Sequence, residues 1–165
     1  MPILLEQGKW TGNISWELYS SDELPETSLI TAVFCVAIQN KKIILTRTIR
    51  GWGMLGGHIE PGETLLDTLV REAREEGGFT PANSQIFGYR KITAKQPISH
   101  PDGARTYPFP ISYIVYYWST TNNIVTTTTG AEVLESKAFS LDEIQSSQIP
   151  DLSTIELGWN SYLKQ

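Results

Sequence analysis

Cysteine is nearly absent from this chain, which has 165 residues and one cysteine, Cys35. A single thiol excludes a disulfide framework or a cysteine-based zinc site within one chain. Cys35 lies in the apolar run of residues 32–37, so we expect it to be a buried core residue and not a nucleophile. The two histidines, His58 and His100, have no plausible histidine or cysteine partner for a zinc site.

Excess positive charge is also missing. Lysine and arginine total 13 against 18 aspartates and glutamates, which gives a formal net charge of −5. An acidic surface disfavours duplex nucleic acid as the main partner. A small phosphorylated substrate stays compatible with this charge, because metal ions can neutralise its phosphates.

Long hydrophobic runs are absent as well. No run reaches the length of a transmembrane helix, and the apolar stretch in residues 1–6 is too short for a signal peptide. We therefore predict no membrane partner and a cytoplasmic location. The length predicts one domain over residues 1–165, and it leaves open whether the protein is a monomer or a homodimer.

Acidic residues are concentrated in the segment from Gly57 to Phe79. It contains Glu60, Glu63, Glu72, Glu75 and Glu76. Carboxylates this close together repel one another unless positive charge lies among them. A divalent cation that prefers oxygen ligands, above all Mg²⁺, is the natural candidate and is usually shared with substrate phosphates.

The residues after Thr64 predict a helix. Thr64 is a suitable N-cap, and Asp67 stands three residues later in the position of a capping-box acid. Apolar residues at helical spacing predict one buried face, formed by Leu65, Leu66, Leu69, Val70 and Ala73. The pair Gly77 and Gly78 predicts the C-terminal end.

The other face of this helix carries Glu72, Glu75 and Glu76, which are neighbours at three- and four-residue spacing. Each like-charge pair costs roughly 0.2–0.5 kcal/mol in an isolated helix. A solvated acidic surface is the simpler explanation of a glutamate pair, but repeated violation of local rules is typical of a functional site.

This segment resembles the signature of the Nudix hydrolases, G-x5-E-x7-R-E-U-x-E-E-x-G-U, where U is aliphatic or bulky and apolar. Every fixed position is filled, by Gly57, Glu63, Arg71, Glu72, Ala73, Glu75, Glu76, Gly78 and Phe79. The resemblance implies Mg²⁺-dependent cleavage, with Mn²⁺ as a substitute, of a phosphoanhydride bond. The implied substrate is a small nucleotide, a nucleoside diphosphate linked to another group such as a sugar or a second nucleotide.

The resemblance also implies roles for single residues. Glu72 and Glu76 correspond to direct metal ligands, and Glu75 to a ligand that binds directly or through water. The backbone carbonyl of Gly57, or of Gly56, is the implied non-carboxylate ligand. Arg71 would hold the carboxylates in register, with Glu63 as its partner.

The general base is not fixed by the motif, because related proteins take it from a later loop of variable position. Glu132 and Glu135 are the candidates, and ordinary surface glutamates are the alternative for both. We favour Glu132, because it follows Gly130 in a predicted loop.

Interleaved strands and helices predict an α/β domain with a mixed sheet. Strands are predicted in the second half of residues 9–19 and at 29–38, 43–48, 86–94, 111–119 and 136–141, with a final helix at 152–163. Turns are predicted at 39–42 and 122–123, and the polar run 126–129 is prone to form a strand. The resemblance implies that these elements form the Nudix α/β/α sandwich.

Substrate selection is expected in two loops, the glycine-rich residues 50–61 and the long irregular residues 95–110. They contain arginines suited to phosphates and aromatic rings suited to stacking on a base, namely Arg50, Trp52, Arg105, Tyr107 and Phe109. For each ring, ordinary packing is the alternative.

Two other functions compete with hydrolysis. A nucleotide-sensing module that keeps the fold without catalysis is disfavoured by the complete set of motif carboxylates. An isomerase of the isopentenyl diphosphate type needs a catalytic cysteine, and Cys35 is predicted to be buried.

Overall fold

A computed structural model describes residues 1–101, 103–122 and 132–165. Its helices are α1 (Leu65–Gly77), α2 (Leu141–Gln145) and α3 (Leu152–Tyr162). Nine strands in these ranges form one sheet. The strands are β1 (Ile3–Thr11), β2 (Ile14–Ser20), β3 (Ile30–Gln39), β4 (Lys42–Thr48), β5 (Gly51–Gly53), β6 (Leu55–His58), β7 (Ala82–Ala94), β8 (Ile111–Thr120) and β9 (Glu135–Phe139).

The sheet is mixed, as predicted. Its strand order is β1-β2-β7-β8-β3-β4-β5, with β6 paired to β3 and β9 paired to β4. The pair β3–β8 is parallel. The β7–β8 and β3–β4 pairs are antiparallel.

Helices cover both faces of this sheet. Alternate residues of β3 point to opposite faces, so Cys35 packs in one cluster with Leu69 and Ala73 of α1. Val36 packs in a second cluster with Ile155 of α3 on the other face. This arrangement is the predicted α/β/α sandwich. It also confirms that Cys35 is a core residue, and burial raises the pKa of its thiol.

Helix α1 begins with the predicted capping box, in which the Thr64 side chain accepts from the Asp67 N–H and the Asp67 carboxylate accepts from the Thr64 N–H. It ends at Gly78, whose left-handed backbone (φ 68°) favours glycine. Leu66 was wrongly predicted to be buried, and it is 53% exposed. The buried stripe of α1 instead includes Thr68 and Glu72, polar residues that a search for apolar periodicity passes over.

Three further elements differ from the sequence prediction. Strand β1 was missed because its residues are nearly all exposed and show no alternation of apolar and polar positions. The predicted loop at 50–61 contains β5 and β6, whose backbones pair with β4 and β3. Leu141, predicted to end a strand, begins α2 after a capping box at Ser140. The predicted strand-prone run 126–129 lies outside the described residues.

The partner of β3 changes along its edge. Residues 37–39 pair with β4, whereas residues 32–35 pair with β6. The sheet therefore splits at this edge, and the backbone of Gly56 and Gly57 runs beside β3 close to α1. In the described ranges, no helix has the length and apolar character needed to cross a membrane.

Gly158 in α3 yields a prediction about stability. A Cβ atom there would lie 2.6 Å from Val36 Cγ2 and 2.8 Å from Phe87 Cε1, both in the core. We expect Gly158→Ala to lower the free energy of unfolding by about 1 kcal/mol, because overpacking of 1–3 kcal/mol exceeds the gain in helix propensity. Asn160→Ala, at an exposed position of the same helix, is the control and should not destabilise. Equal or higher stability of Gly158→Ala in urea denaturation would contradict this packing.

Candidate active site

A cavity of about 950 Å³ lies where the sheet splits. Glycines of β5 and β6 form part of its wall, and α1 contributes Arg71, Glu72, Glu75 and Glu76. The loop at 95–110 contributes Arg105, among others. The cavity thus collects the signature glutamates of α1 in one place.

Arg71 is the centre of a hydrogen-bond network. Its Nε donates to Glu63 Oε1 at 2.7 Å, and its Nη2 donates to Glu63 Oε2 at 3.1 Å. Its Nη1 donates to Glu72 Oε1 at 2.7 Å and to Glu75 Oε2 at 3.4 Å. Nη2 also donates to the backbone carbonyl of His58 at 3.0 Å. The predicted pairing of Arg71 with Glu63 is present, and it joins α1 to the preceding loop.

Glu63 is held as a carboxylate. The hydrogen bonds from Arg71 are the largest cause that lowers the pKa of Glu63 to about 2. The Glu60 N–H (3.0 Å) and the Thr68 hydroxyl (2.8 Å) also donate to Glu63 Oε2. The hydrogen bonds between Arg71 and Glu63 in turn raise the pKa of Arg71. Both carboxylate oxygens of Glu63 are therefore engaged in hydrogen bonds.

Glu76 has the opposite environment. Burial is the largest cause that raises the pKa of Glu76 to about 7, and the charges of Glu72, Glu132 and Glu75 raise it further. The N–H of Gly56 opposes this shift by donating to Glu76 Oε2 at 2.9 Å. Burial also raises the pKa of Glu72, against the opposing effect of Arg71. Both carboxylates are thus costly to ionise, Glu72 even with the Arg71 guanidinium beside it.

Two glycines bring backbone against these carboxylates. A Cβ on Gly57 would lie 2.2 Å from Glu72 Oε1, so only glycine allows this approach. Gly56 has φ 144°, and a Cβ there would lie 2.3 Å from the Val33 carbonyl oxygen. The Gly57 backbone therefore lies directly beside the Glu72 carboxylate.

The donors at this site fit a divalent cation in their chemistry. Carboxylate and carbonyl oxygens are the ligands that Mg²⁺ and Mn²⁺ prefer. As they stand, no three His, Cys, Asp or Glu side chains in residues 1–101, 103–122 and 132–165 converge closely enough to hold a metal ion. Here Glu72 accepts from Arg71, and Glu76 accepts from the Gly56 N–H.

The two candidate bases have different surroundings. Glu132 is exposed and lines the cavity, and its charge contributes to the raised pKa of Glu76. Glu135 belongs to β9 and accepts from Arg47 Nη2 at 3.0 Å and Arg47 Nε at 3.2 Å. Gly130, on which the preference for Glu132 was based, lies outside the described residues.

The predicted substrate residues separate into two groups. Arg50, Trp52 and Arg105 line the cavity. Tyr107 is not among the lining residues, and its hydroxyl is 2.9 Å from Nε2 of His58, which does line it. Phe109 is 52% exposed and does not line the cavity. The structure therefore brings the two arginines and Trp52 to the site, and it does not bring Phe109.

Several lining residues were not predicted. They come from the first strand, from the middle of the sheet and from the start of α3, and include Trp10, Arg90, Tyr116 and Asp151. No motif marks them, because they are far apart in sequence and are brought together only by strand pairing. An arginine at position 90, inside a predicted strand, was the one available signal.

Comparison with known proteins decides the family. A profile of the NUDIX domain matches residues 29–156 of the 165. The chain belongs to the Nudix family. The uncharacterised Nudix hydrolase YvcI of Bacillus subtilis is 30% identical over 114 residues, covering 68% of this chain and 63% of YvcI. The chain thus spans less than two thirds of that relative's length. Nudix hydrolases generally use divalent metals.

Solved structures share the Nudix fold. A mutant of the Bacillus subtilis pyrophosphohydrolase BsRppH superposes with a TM-score of 0.66 at 17% identity, covering 96% of this chain and 98% of that one. The Nudix domain of Shewanella oneidensis NrtR, complexed with ADP ribose, gives 0.58 at 18% identity and covers 81% and 88%. A C. elegans Ap4A hydrolase binary complex gives 0.54 at 16% identity and covers 81% and 98%.

The buried Glu76 yields a prediction about pH and stability. An acid whose pKa is raised by folding, here from 4.5 to about 7, stabilises the fold fully below pH 4.5 and loses this contribution as the pH rises through 7. Without divalent cations, Glu76→Gln should therefore be more stable than wild type by about 1–3 kcal/mol at pH 8, and by less near pH 4.5. Urea denaturation at both pH values measures the difference.

Glu23→Gln is the matched control for this prediction, because Glu23 is exposed and lies outside the cavity. It should leave the pH dependence of stability nearly unchanged. Added Mg²⁺ should stabilise wild type and should stabilise Glu76→Gln much less. A Glu76→Gln protein that follows the wild-type pH profile would contradict the described environment of Glu76.

Proposed function

We propose that this chain is a metal-dependent hydrolase of a phosphoanhydride bond in a nucleoside diphosphate linked to another moiety. Mg²⁺ is the proposed cation, with Mn²⁺ as a substitute. The observation that carries the proposal is the costly placement of Glu72 and Glu76. Burial raises the pKa of both carboxyls, and both lie against glycine backbone in a large cavity. Such a cost is typical of a binding or catalytic site.

Glu72, Glu75, Glu76 and the Gly57 carbonyl would hold the cation. When bound, a divalent cation polarises phosphate oxygens and lowers the pKa of water beside it. The phosphate groups of the substrate would supply further oxygen ligands to the cation, as is usual for Mg²⁺. The acidic cavity then accepts an anionic substrate, because the cation offsets the charge of both.

Arg71 and Glu63 act in this proposal as positioning residues. The described hydrogen bonds of the Arg71 guanidinium all go to protein oxygens, and two of them go to Glu63. This network fixes the direction in which Glu72 leaves the helix. It also holds the carbonyl of His58, next to Gly57, in place.

Glu132 is the proposed general base. A base must reach the attacking water and must not be committed to another strong partner. Glu135 accepts two hydrogen bonds from Arg47, whereas Glu132 lines the cavity near Glu76. In our proposal Glu132 accepts the proton of the water that attacks phosphorus, and the departing phosphate carries away the electron pair of the broken P–O bond.

Small nucleotides are the proposed substrate class, and no duplex nucleic acid is expected. Structures that share the fold include a pyrophosphohydrolase, a domain complexed with ADP ribose and an Ap4A hydrolase. Arg50 and Arg105 line the cavity and are suited to bind phosphates that the cation does not contact. A cytoplasmic location, a single domain over 1–165, and a monomer or homodimer remain predictions.

The first functional test is turnover of a panel of nucleoside diphosphate derivatives with Mg²⁺ or Mn²⁺, read by the phosphate species released. Wild type should hydrolyse members of the panel, and chelation of the cation should abolish turnover. Glu76→Gln should lower kcat/KM by about 10²-fold or more, because loss of a residue that only supports a metal ligand already costs about 10–100-fold. Glu23→Gln, the same charge change at an exposed position outside the cavity, should act like wild type.

Near-wild-type turnover by Glu76→Gln at saturating Mg²⁺ would remove Glu76 from the metal site. Binding of nucleotides by wild type without any turnover would instead support a nucleotide-sensing module. The two failures are distinguished because binding is measured separately by calorimetry.

The second functional test compares Glu132→Gln with Glu135→Gln. Loss of a general base lowers rates by roughly 10²–10⁴-fold. Glu132→Gln should lower kcat on that scale with little change in Mg²⁺ affinity, and it should flatten the acidic limb of the pH–rate profile. Glu135→Gln should have a small effect on kcat. The reverse pattern would exchange the roles, and no effect of either would place the base among the signature glutamates.

A further inference from the structure

Arg90 is a buried charge in the wall of the same cavity. It lies in β7 and is 4% exposed. Its Nη2 donates to Asp151 Oδ1 at 2.9 Å and to Thr154 Oγ1 at 3.2 Å. Its Nε is buried and lacks a hydrogen-bond partner within the described part of the chain. A buried donor left without a partner costs free energy. The Arg90 guanidinium therefore retains hydrogen-bonding capacity that a ligand could satisfy.

Aromatic rings surround this guanidinium. Its Cζ lies 4.7 Å from the ring centroid of Trp16 and 5.8 Å from those of Trp10 and Tyr116. Trp10 and Tyr116 line the cavity. Trp10 stands at an irregular step in the β1–β2 register, a feature that redirects side chains. Trp10 is 49% exposed, which leaves part of it open to a ligand.

This group of residues lies away from the glutamates. Strands β8 and β3 separate β7 from β6, which carries Gly56 and Gly57. Three strand spacings amount to roughly 14 Å. One extended ligand in the cavity can therefore place different parts at the two ends.

The charge at this end argues against phosphate. Asp151 neutralises Arg90, so the pair has no net charge to offer an anion. The pair instead presents hydrogen-bond donors beside a carboxylate acceptor, next to aromatic surfaces. A nucleobase is the complementary ligand, because it is planar and places an acceptor atom beside an N–H donor.

We infer that Arg90 and Asp151, with Trp10 and Tyr116 as aromatic walls, bind the nucleobase of the substrate. This inference rests on the proposed function only for the identity of the substrate as a nucleotide. The proposed base site differs from the sequence prediction, which assigned base stacking to aromatic residues of the loops at 50–61 and 95–110. Trp52 packs edge-on against Phe139 at 4.9 Å, and Phe109 does not line the cavity.

The test is nucleoside binding without divalent cations, measured by calorimetry with guanosine, adenosine, cytidine and uridine. Ribose 5-phosphate and inorganic phosphate are the arms that detect an anion site. Wild type should bind at least one nucleoside more tightly than either phosphate compound. Asp151→Asn and Arg90→Met should each lower the affinity for that nucleoside by at least about tenfold, as expected for loss of a charge-assisted hydrogen bond.

Asp151→Asn keeps the shape of the side chain, and asparagine tolerates the left-handed backbone of this position (φ 60°). It therefore tests the inference even if Arg90→Met fails to fold. Lys91→Met is the matched control, because Lys91 neighbours Arg90 in β7, points to the other sheet face and pairs with Glu17 at 3.1 Å. Its nucleoside affinity should equal that of wild type.

Binding does not depend on turnover, so the two proposals fail separately. Selective loss of nucleoside affinity in Asp151→Asn supports the base site even if wild type hydrolyses nothing. Wild-type nucleoside affinity in both variants overturns it, as does preferential binding of phosphate, even if hydrolysis is confirmed.

Discussion

The guanidinium group of Arg71 joins α1 to the loop before it and to the end of β6. It contacts Glu63 in the loop, Glu72 on its own helix and the carbonyl of His58. These contacts set the position of the glycine backbone relative to the glutamates of α1. Because the edge of β3 changes its partner from β4 to β6, this backbone has space to approach the helix. The acidic site is the result of both features.

The same network explains how the fold tolerates a cluster of like charges. Arg71 compensates Glu63, whose pKa is low, and it opposes the burial that raises the pKa of Glu72. Glu76 receives one backbone N–H from Gly56 and no described contact with Arg71. Burial raises its pKa, the charges of Glu72, Glu132 and Glu75 raise it further, and the Gly56 N–H opposes them. In the proposed chemistry, a divalent cation supplies the positive charge that offsets the Glu76 carboxylate.

Much of this site could be predicted from the sequence, but little of the opposite end of the cavity could. Local signals predicted the capping box of Thr64 and Asp67 and the helix between Thr64 and Gly78, because each depends on residues a few positions apart. The pairing of Arg71 with Glu63 followed from the signature. Trp10, Arg90 and Asp151 could not be predicted as neighbours, because strand register and the docking of α3 bring them together. Leu66 was misplaced because apolar periodicity ignores the buried polar stripe of α1.

The most direct test of this account is proton release on Mg²⁺ binding, measured by calorimetry in buffers of different ionisation enthalpy. A carboxyl with a pKa of about 7 is largely protonated at pH 6 and must lose its proton to bind a cation. The account predicts release of about one proton per bound Mg²⁺ at pH 6 and almost none at pH 9, with the release at pH 6 lost in Glu76→Gln. Mg²⁺ binding without proton release at pH 6, or release that Glu76→Gln retains, would contradict it.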